Sequence, residues 1–162
     1  MRRFAFLLLA LAPSPALAEN PMLFDPAVIT GCMAQGRDRD CIGEGMQACI
    51  DTSPGGYSTV GMSACAAAEL RWWDGQLNDA YGARMGMATE IDRQPGFGGP
   101  PRPSDVAALR AMQRAWIAFR DATCGFEELQ WWGGTGASGA GTECRMRMTA
   151  EQTLYLRSQM GG

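Results

Sequence analysis

Neither lysine nor histidine occurs anywhere in the chain. Without an imidazole there is no general base for a serine or cysteine nucleophile of the Ser-His-Asp kind. "GASGA" (136–140) also lacks the second glycine of a nucleophile elbow. Without lysine, "GTGASGAG" (134–141) resembles a phosphate loop in composition only, because such a loop ends in Lys followed by Ser or Thr. Abundant Ala, Gly and Arg make the missing lysine a matter of genomic base composition, not of function. No C-x-x-C occurs, and with no histidine this argues against a zinc site. "DRDCIGE" (38–44) is too poor in ligands for a calcium loop. "DTSP" (51–54) has Ser and Pro where an aspartic protease loop needs glycine. Glu127 and Glu128 are adjacent, so on a helix they point about 100° apart and fit a solvated face better than a paired acid and base. The sequence therefore carries no catalytic residue, metal set or cofactor motif, and a non-enzyme is expected.

Long apolar runs are scarce too. The first 18 residues hold a positive start at Arg2 and Arg3, an apolar run from Phe4 to Ala12 too short to span a bilayer, and a small-residue site at Ala16-Leu17-Ala18. This is the pattern of a signal peptide. It places the mature start near Glu19 and the mature protein in the periplasm or the medium, with no membrane insertion after cleavage. The mature part holds 12 arginines against 17 acids, a balance of −5. An acidic surface disfavours nucleic acid and would draw a basic protein partner.

Strand signals are sparse, since Val, Ile and Thr are few and do not alternate. Helical spacing is clear instead. A short helix is expected over 26–35, with Asp25 as cap and Gly36 as stop, and a second over 40–51. The breaker-rich "TSPGGYSTVG" (52–61) reads as a loop. A long helix over 62–92 has a stripe of Leu70, Trp73, Leu77, Tyr81, Met85 (or Arg84), Ala88 and Ile91. Pro and Gly make 93–103 a loop. Ser104 caps a helix running to about Leu129, with stripe Val106, Leu109, Met112, Trp116, Phe119 and Thr123. The segment 131–142 reads as flexible, and a last helix as 143–160, with Met148 or Met146, Thr149, Thr153 and Leu156 inward. The fold expected is all-α: a small disulfide-stapled bundle with two long antiparallel helices and a C-terminal helix. Residues 19–61 form a cysteine-containing extension and 62–162 the main domain.

All six cysteines follow the export segment, an even count that implies three disulfides in an oxidising compartment. Many connectivities are open. The one favoured ties Cys124 to Cys144 across the glycine-rich segment, Cys49 to Cys65 across the Pro-Gly-Gly turn, and Cys32 to Cys41. Gln113, Arg120 and Asp121 lie beside Trp116 and Phe119. With Asp74 and Asn78 (or Asp79) on the preceding helix they are expected to form a half-buried polar network, structural first and a ligand or partner contact second.

Three blocks carry a resemblance: "CAAAELRWWDGQLNDAYGARM" (65–85), "LRAMQRAWIAFRDATCGFE" (109–127) and "GGTGASGAGTECRMRMTAEQTLYLRSQM" (133–160). Through Cys65, Glu69, Asp74, Leu77, Asn78 and Tyr81, then Gln113, Arg114, Ala115, Trp116, Arg120, Asp121 and Cys124, then Cys144 and Thr149, the chain resembles the lysozyme inhibitor LprI-like N-terminal domain family. Gln152 stands where the family would have arginine. The resemblance implies an exported helical domain and a protein partner, with inhibition of lysozyme as the transferred activity. The partner-binding candidates are the Gly-rich 133–141 loop flanked by Trp131 and Trp132, and the 94–103 loop with Phe97 and Arg102. The expectation is an envelope binding protein, monomeric or dimeric. The alternatives are a structural or stress-related envelope protein, or a carrier of a small apolar ligand in a pocket lined by Met85, Met112 and Trp116.

Overall fold

A computed structural model describes residues 22–94 and 102–159. The expected signal peptide and Phe97 lie outside those residues. Five α-helices are present: α1 (Ala27–Met33), α2 (Glu44–Thr52), α3 (Thr59–Arg93), α4 (Asp105–Leu129) and α5 (Ala137–Ser158), with a 3-10 turn at Asp38–Cys41. Among the described residues there is no strand. The all-α, disulfide-stapled architecture read from the sequence is the one found.

The disulfides are Cys32–Cys41, Cys49–Cys65 and Cys124–Cys144, as the helix ends had suggested. α3 and α5 run side by side in parallel: Ser63 lies near Gly139 at one end, and Arg84 donates to the Gln159 carbonyl at the other. α4 runs against both, with Arg120 opposite Thr149 and Cys124 bonded to Cys144. The α3–α4 corner is held by Asp92. It accepts from the Ser104 hydroxyl (2.6 Å) and from the Asp105 (2.8 Å) and Val106 (3.2 Å) amides. These bonds, the Ser104 hydroxyl above all, hold the Asp92 carboxyl below its usual pKa. Ser104 in turn accepts from the Ala107 amide, so the first turn of α4 is satisfied from both sides.

α1, the 3-10 turn and α2 cover the other side of α3. Ile29, Cys32 and Cys41 pack with Trp73 of α3 and with Met146 and Ala150 of α5. Glu69 joins this knot to α3. It is fully buried, and its carboxylate accepts from the Gly43 amide (2.8 Å), the Met46 amide (2.6 Å) and the Trp73 indole (2.9 Å). Gly43 is the N-cap of α2 and brings no capping side chain, so Glu69 caps that helix from a different one.

Several sequence expectations shift. The single helix expected over 40–51 is broken at Gly43, whose φ of 94° no ordinary residue adopts readily. The flexible stretch expected through 142 ends sooner, because α5 begins at Ala137. Its glycines are used for close packing: a Cβ on Gly141 would sit 1.9 Å from Glu128 Oε1. Phe119, placed in the inward stripe of α4, is 62% exposed. The stripe steps from Trp116 by four residues to Arg120, not by three to Phe119. Met112 and Trp116 pack against Leu77, Ala80 and Leu156, which fills much of the space proposed for an apolar ligand.

The glycines of the 52–61 turn serve the same purpose as Gly141. A Cβ on Gly61 would meet the Gly55 carbonyl oxygen at 2.2 Å. Gly82, exposed on α3, has open space around it. Gly61→Ala should therefore lower stability by about 1–3 kcal/mol through a forced backbone shift, whereas Gly82→Ala should raise it by about 0.5–1 kcal/mol. Urea denaturation of the oxidised protein measures both.

Candidate functional site

Two surface features gather the residues singled out in the sequence. The first is an open notch of about 590 Å³ where α4 and α5 meet α3, lined by Leu70, Arg71, Asp74, Gly75, Asn78, Arg120 and Arg145. Asp74, Asn78 and Arg120 thus share one site, but not as the expected network. Arg120 pairs instead with its neighbour Asp121 (2.8 Å) and reaches the Thr149 hydroxyl (3.5 Å), with its guanidinium 5.0 Å over the Trp116 ring. Its one-turn spacing from Trp116 makes the stacking possible and draws the head away from α3. Asp74 and Asn78 are exposed and make only a long contact with each other, 3.5 Å. Gln113 leaves the group altogether and accepts from Gln152 (3.1 Å). Gln152 stands where the resemblance would place arginine, so here the α4–α5 contact is a neutral amide pair.

Arg145 enters the notch from α5 and pairs with Glu128 (2.9 Å). Arg71 joins it from α3. Neither was singled out from the sequence, because only the α3–α5 packing brings them together. The notch presents planar guanidinium donors suited to an anionic group.

The second feature is the α4–α5 turn. Trp131 is half-exposed and Trp132 is 87% exposed. The backbone holding them is braced by three successive bonds: Trp131 amide to Glu128, Trp132 amide to Leu129, and Gly134 amide to the Trp131 carbonyl at 2.7 Å. Gly133 takes a φ of 73° to close the turn. The Trp131 ring packs over Gly136, where a Cβ would come within 3.0 Å of it. Trp131 also borders a cleft of about 540 Å³ between α2, α3 and the start of α5, whose apolar walls include Met46, Ile50, Met62 and Ala66. In the turn between α2 and α3, Tyr57 donates to Asp51; this bond raises the Tyr57 pKa and, with Gln47, lowers that of Asp51. Arg102, the other candidate, is exposed, pairs with Asp105 (3.0 Å) at the start of α4 and lines neither the notch nor the cleft.

Among the described residues no group of three or more His, Cys, Asp or Glu is placed to hold a metal ion. The family follows from comparison. The model for lysozyme inhibitor LprI matches residues 49–156, more than half of the chain, and the chain belongs to that family. An uncharacterised 17.7 kDa protein in the puhA 5' region of Rhodobacter capsulatus is 29% identical over 169 residues, covering 96% of this chain and 95% of the relative. An uncharacterised protein of Rhizobium meliloti (strain 1021) is 26% identical over 103 residues, covering 64% of this chain and 74% of the relative. No solved structure matches the chain.

The notch geometry predicts which of its residues support the fold. A double-mutant cycle between Arg120 and Trp116 should give a coupling of about 0.5–1 kcal/mol. The cycle between Arg120 and Asp74 should give less than about 0.3 kcal/mol. Chemical denaturation of the single and double alanine variants reads both.

Proposed function

We propose that the protein is exported from the cytoplasm and acts by binding a protein partner, and that this partner is a lysozyme. The observation that carries the reading, beside family membership, is the braced turn at Trp131 and Trp132. Exposed tryptophans on a rigid backbone bind with little ordering cost, and tryptophan leads the residue types that dominate protein interfaces. The segment first considered as a flexible loop is too short for deep insertion once α5 begins at Ala137. Recognition is therefore by a fixed aromatic knob. The acidic balance of the mature chain favours encounter with a basic lysozyme. Three disulfides among the described residues fit an oxidising compartment, and no described helix is long and apolar enough to cross a membrane.

A second reading is favoured by one observation, the cleft beside Trp131. Its mostly apolar walls suit a small apolar ligand, and a carrier of this kind would change Trp131 fluorescence on binding.

Mature protein mixed with c-type lysozyme should slow the lysis of bacterial cells at micromolar excess, and the effect should weaken as salt rises. Trp132→Ala should keep the fold, because the side chain is almost wholly in solvent, and should weaken inhibition about thirtyfold, the cost of losing one hot-spot anchor. Undiminished lysis together with no complex on a sizing column would rule lysozyme out.

A further inference from the structure

α4 has a bare outer side. Of its 25 residues only Cys124 is buried. The inward side packs on α3 and α5 through Leu109, Met112 and Trp116. Beside this inward stripe, turned to solvent, stand Phe119, Phe126 and Leu129, 62%, 64% and 59% exposed. On the same side, towards the N-terminus, come Ala108, Ala111, Ala115 and Ala118, all exposed. At 100° per residue these positions fall within a sector of about 100°. Every residue in that sector is apolar, over six turns of helix.

We infer that this face pairs with the same face of a second copy of the chain, antiparallel, about a two-fold axis close to Ala118. The size gradient along the helix is the first reason. Bulky side chains occupy the C-terminal half and alanines the N-terminal half. Antiparallel pairing about Ala118 sets Phe126 of one copy over Ala111 of the other and Leu129 over Ala108, so each projection meets a flat surface. A parallel pair would stack Phe119 on Phe119 and Phe126 on Phe126 and leave the alanine half in poor contact. A two-fold interface requires this kind of self-complementarity.

Charge gives the second reason. Along one flank of the stripe lie Arg114 and Asp121. Arg114 forms no ion pair among the described residues, whereas Asp121 pairs with the adjacent Arg120 of its own chain. In an antiparallel pair a flank meets its own reverse. The same axis that matches the bulky and small residues brings Arg114 beside Asp121 of the second copy. In a parallel pair this flank would instead meet the opposite flank of the second copy, and the match between Arg114 and Asp121 would be lost. Shape and charge thus select one arrangement independently. The inference does not rest on the lysozyme reading.

One helix face is small for a specific interface, so a dissociation constant in the range of about 1–100 μM is expected. Sedimentation equilibrium on the oxidised mature chain should show a reversible monomer–dimer equilibrium in that range. Ala118→Glu places two carboxylates across the axis at an exposed helical position and should weaken the dimer at least about tenfold with an unchanged helical spectrum. Arg114→Glu should weaken it too, and Arg114→Glu with Asp121→Arg should recover most of the loss. A chain that stays monomeric at about ten times the upper expected constant, an Ala118→Glu variant that dimerises like the parent, or a double variant that fails to recover each overturns the proposal.

Discussion

The carboxylate of Glu69 is the interaction on which the assembly turns. Burying an ionised carboxyl is costly unless its lone pairs are filled. Here three N–H donors fill them: two from the first turn of α2 and one from the indole of Trp73. No cation pairs with it among the described residues. The positive end of α2 and the indole dipole supply the compensation. In consequence α2 cannot leave α3 without exposing its own unsatisfied amides and stranding the carboxylate, and Trp73 cannot rotate without losing its partner. The knot built on Ile29, Cys32 and Cys41 packs on that same Trp73.

The disulfides complete what Glu69 begins. Cys49–Cys65 joins α2 to α3 on the far side of the turn held by Gly56 and Gly61, and Cys124–Cys144 joins α4 to α5 around the tryptophan turn. A loop of about 20 residues closed in this way is worth roughly 3 kcal/mol on the chain-entropy model. Cys124 lies five residues before the end of α4 and Cys144 seven residues into α5. They hold the backbone beneath Trp131 and Trp132, so a surface turn can be short and glycine-rich and still keep one shape. Stability and recognition are linked at that point.

Much of this was legible in the sequence, for physical reasons that differ by element. The Ser104 cap and the breakers around α4 fixed its limits to the residue. The favoured cysteine pairing, with each pair flanking one turn, is the one formed. Arg120 was identified, but its partner was not: periodicity places a side chain on a face, while the choice between Asp121 and Asp74 depends on which way stacking on Trp116 turns the guanidinium. Hydrophobicity and spacing together place Phe119 inward, but the helix register leaves it in solvent. α5 began earlier than its composition suggested, since Gly141 is favoured there by close packing against Glu128, a cause invisible in local propensity. Glu69 was visible as a motif residue, yet its capping of a helix 23 residues away is a long-range fact.

The reading of function rests on this rigidity, since a preformed aromatic turn on a stapled scaffold is useful only if the scaffold moves as one body. Native-state hydrogen exchange at the Gly43 and Met46 amides tests that most directly. If Glu69 locks α2 to α3, both amides exchange only through global unfolding, with the same denaturant dependence as the slowest amides of α3. Exchange at those two amides through a small local opening, while α3 stays protected, would contradict the account.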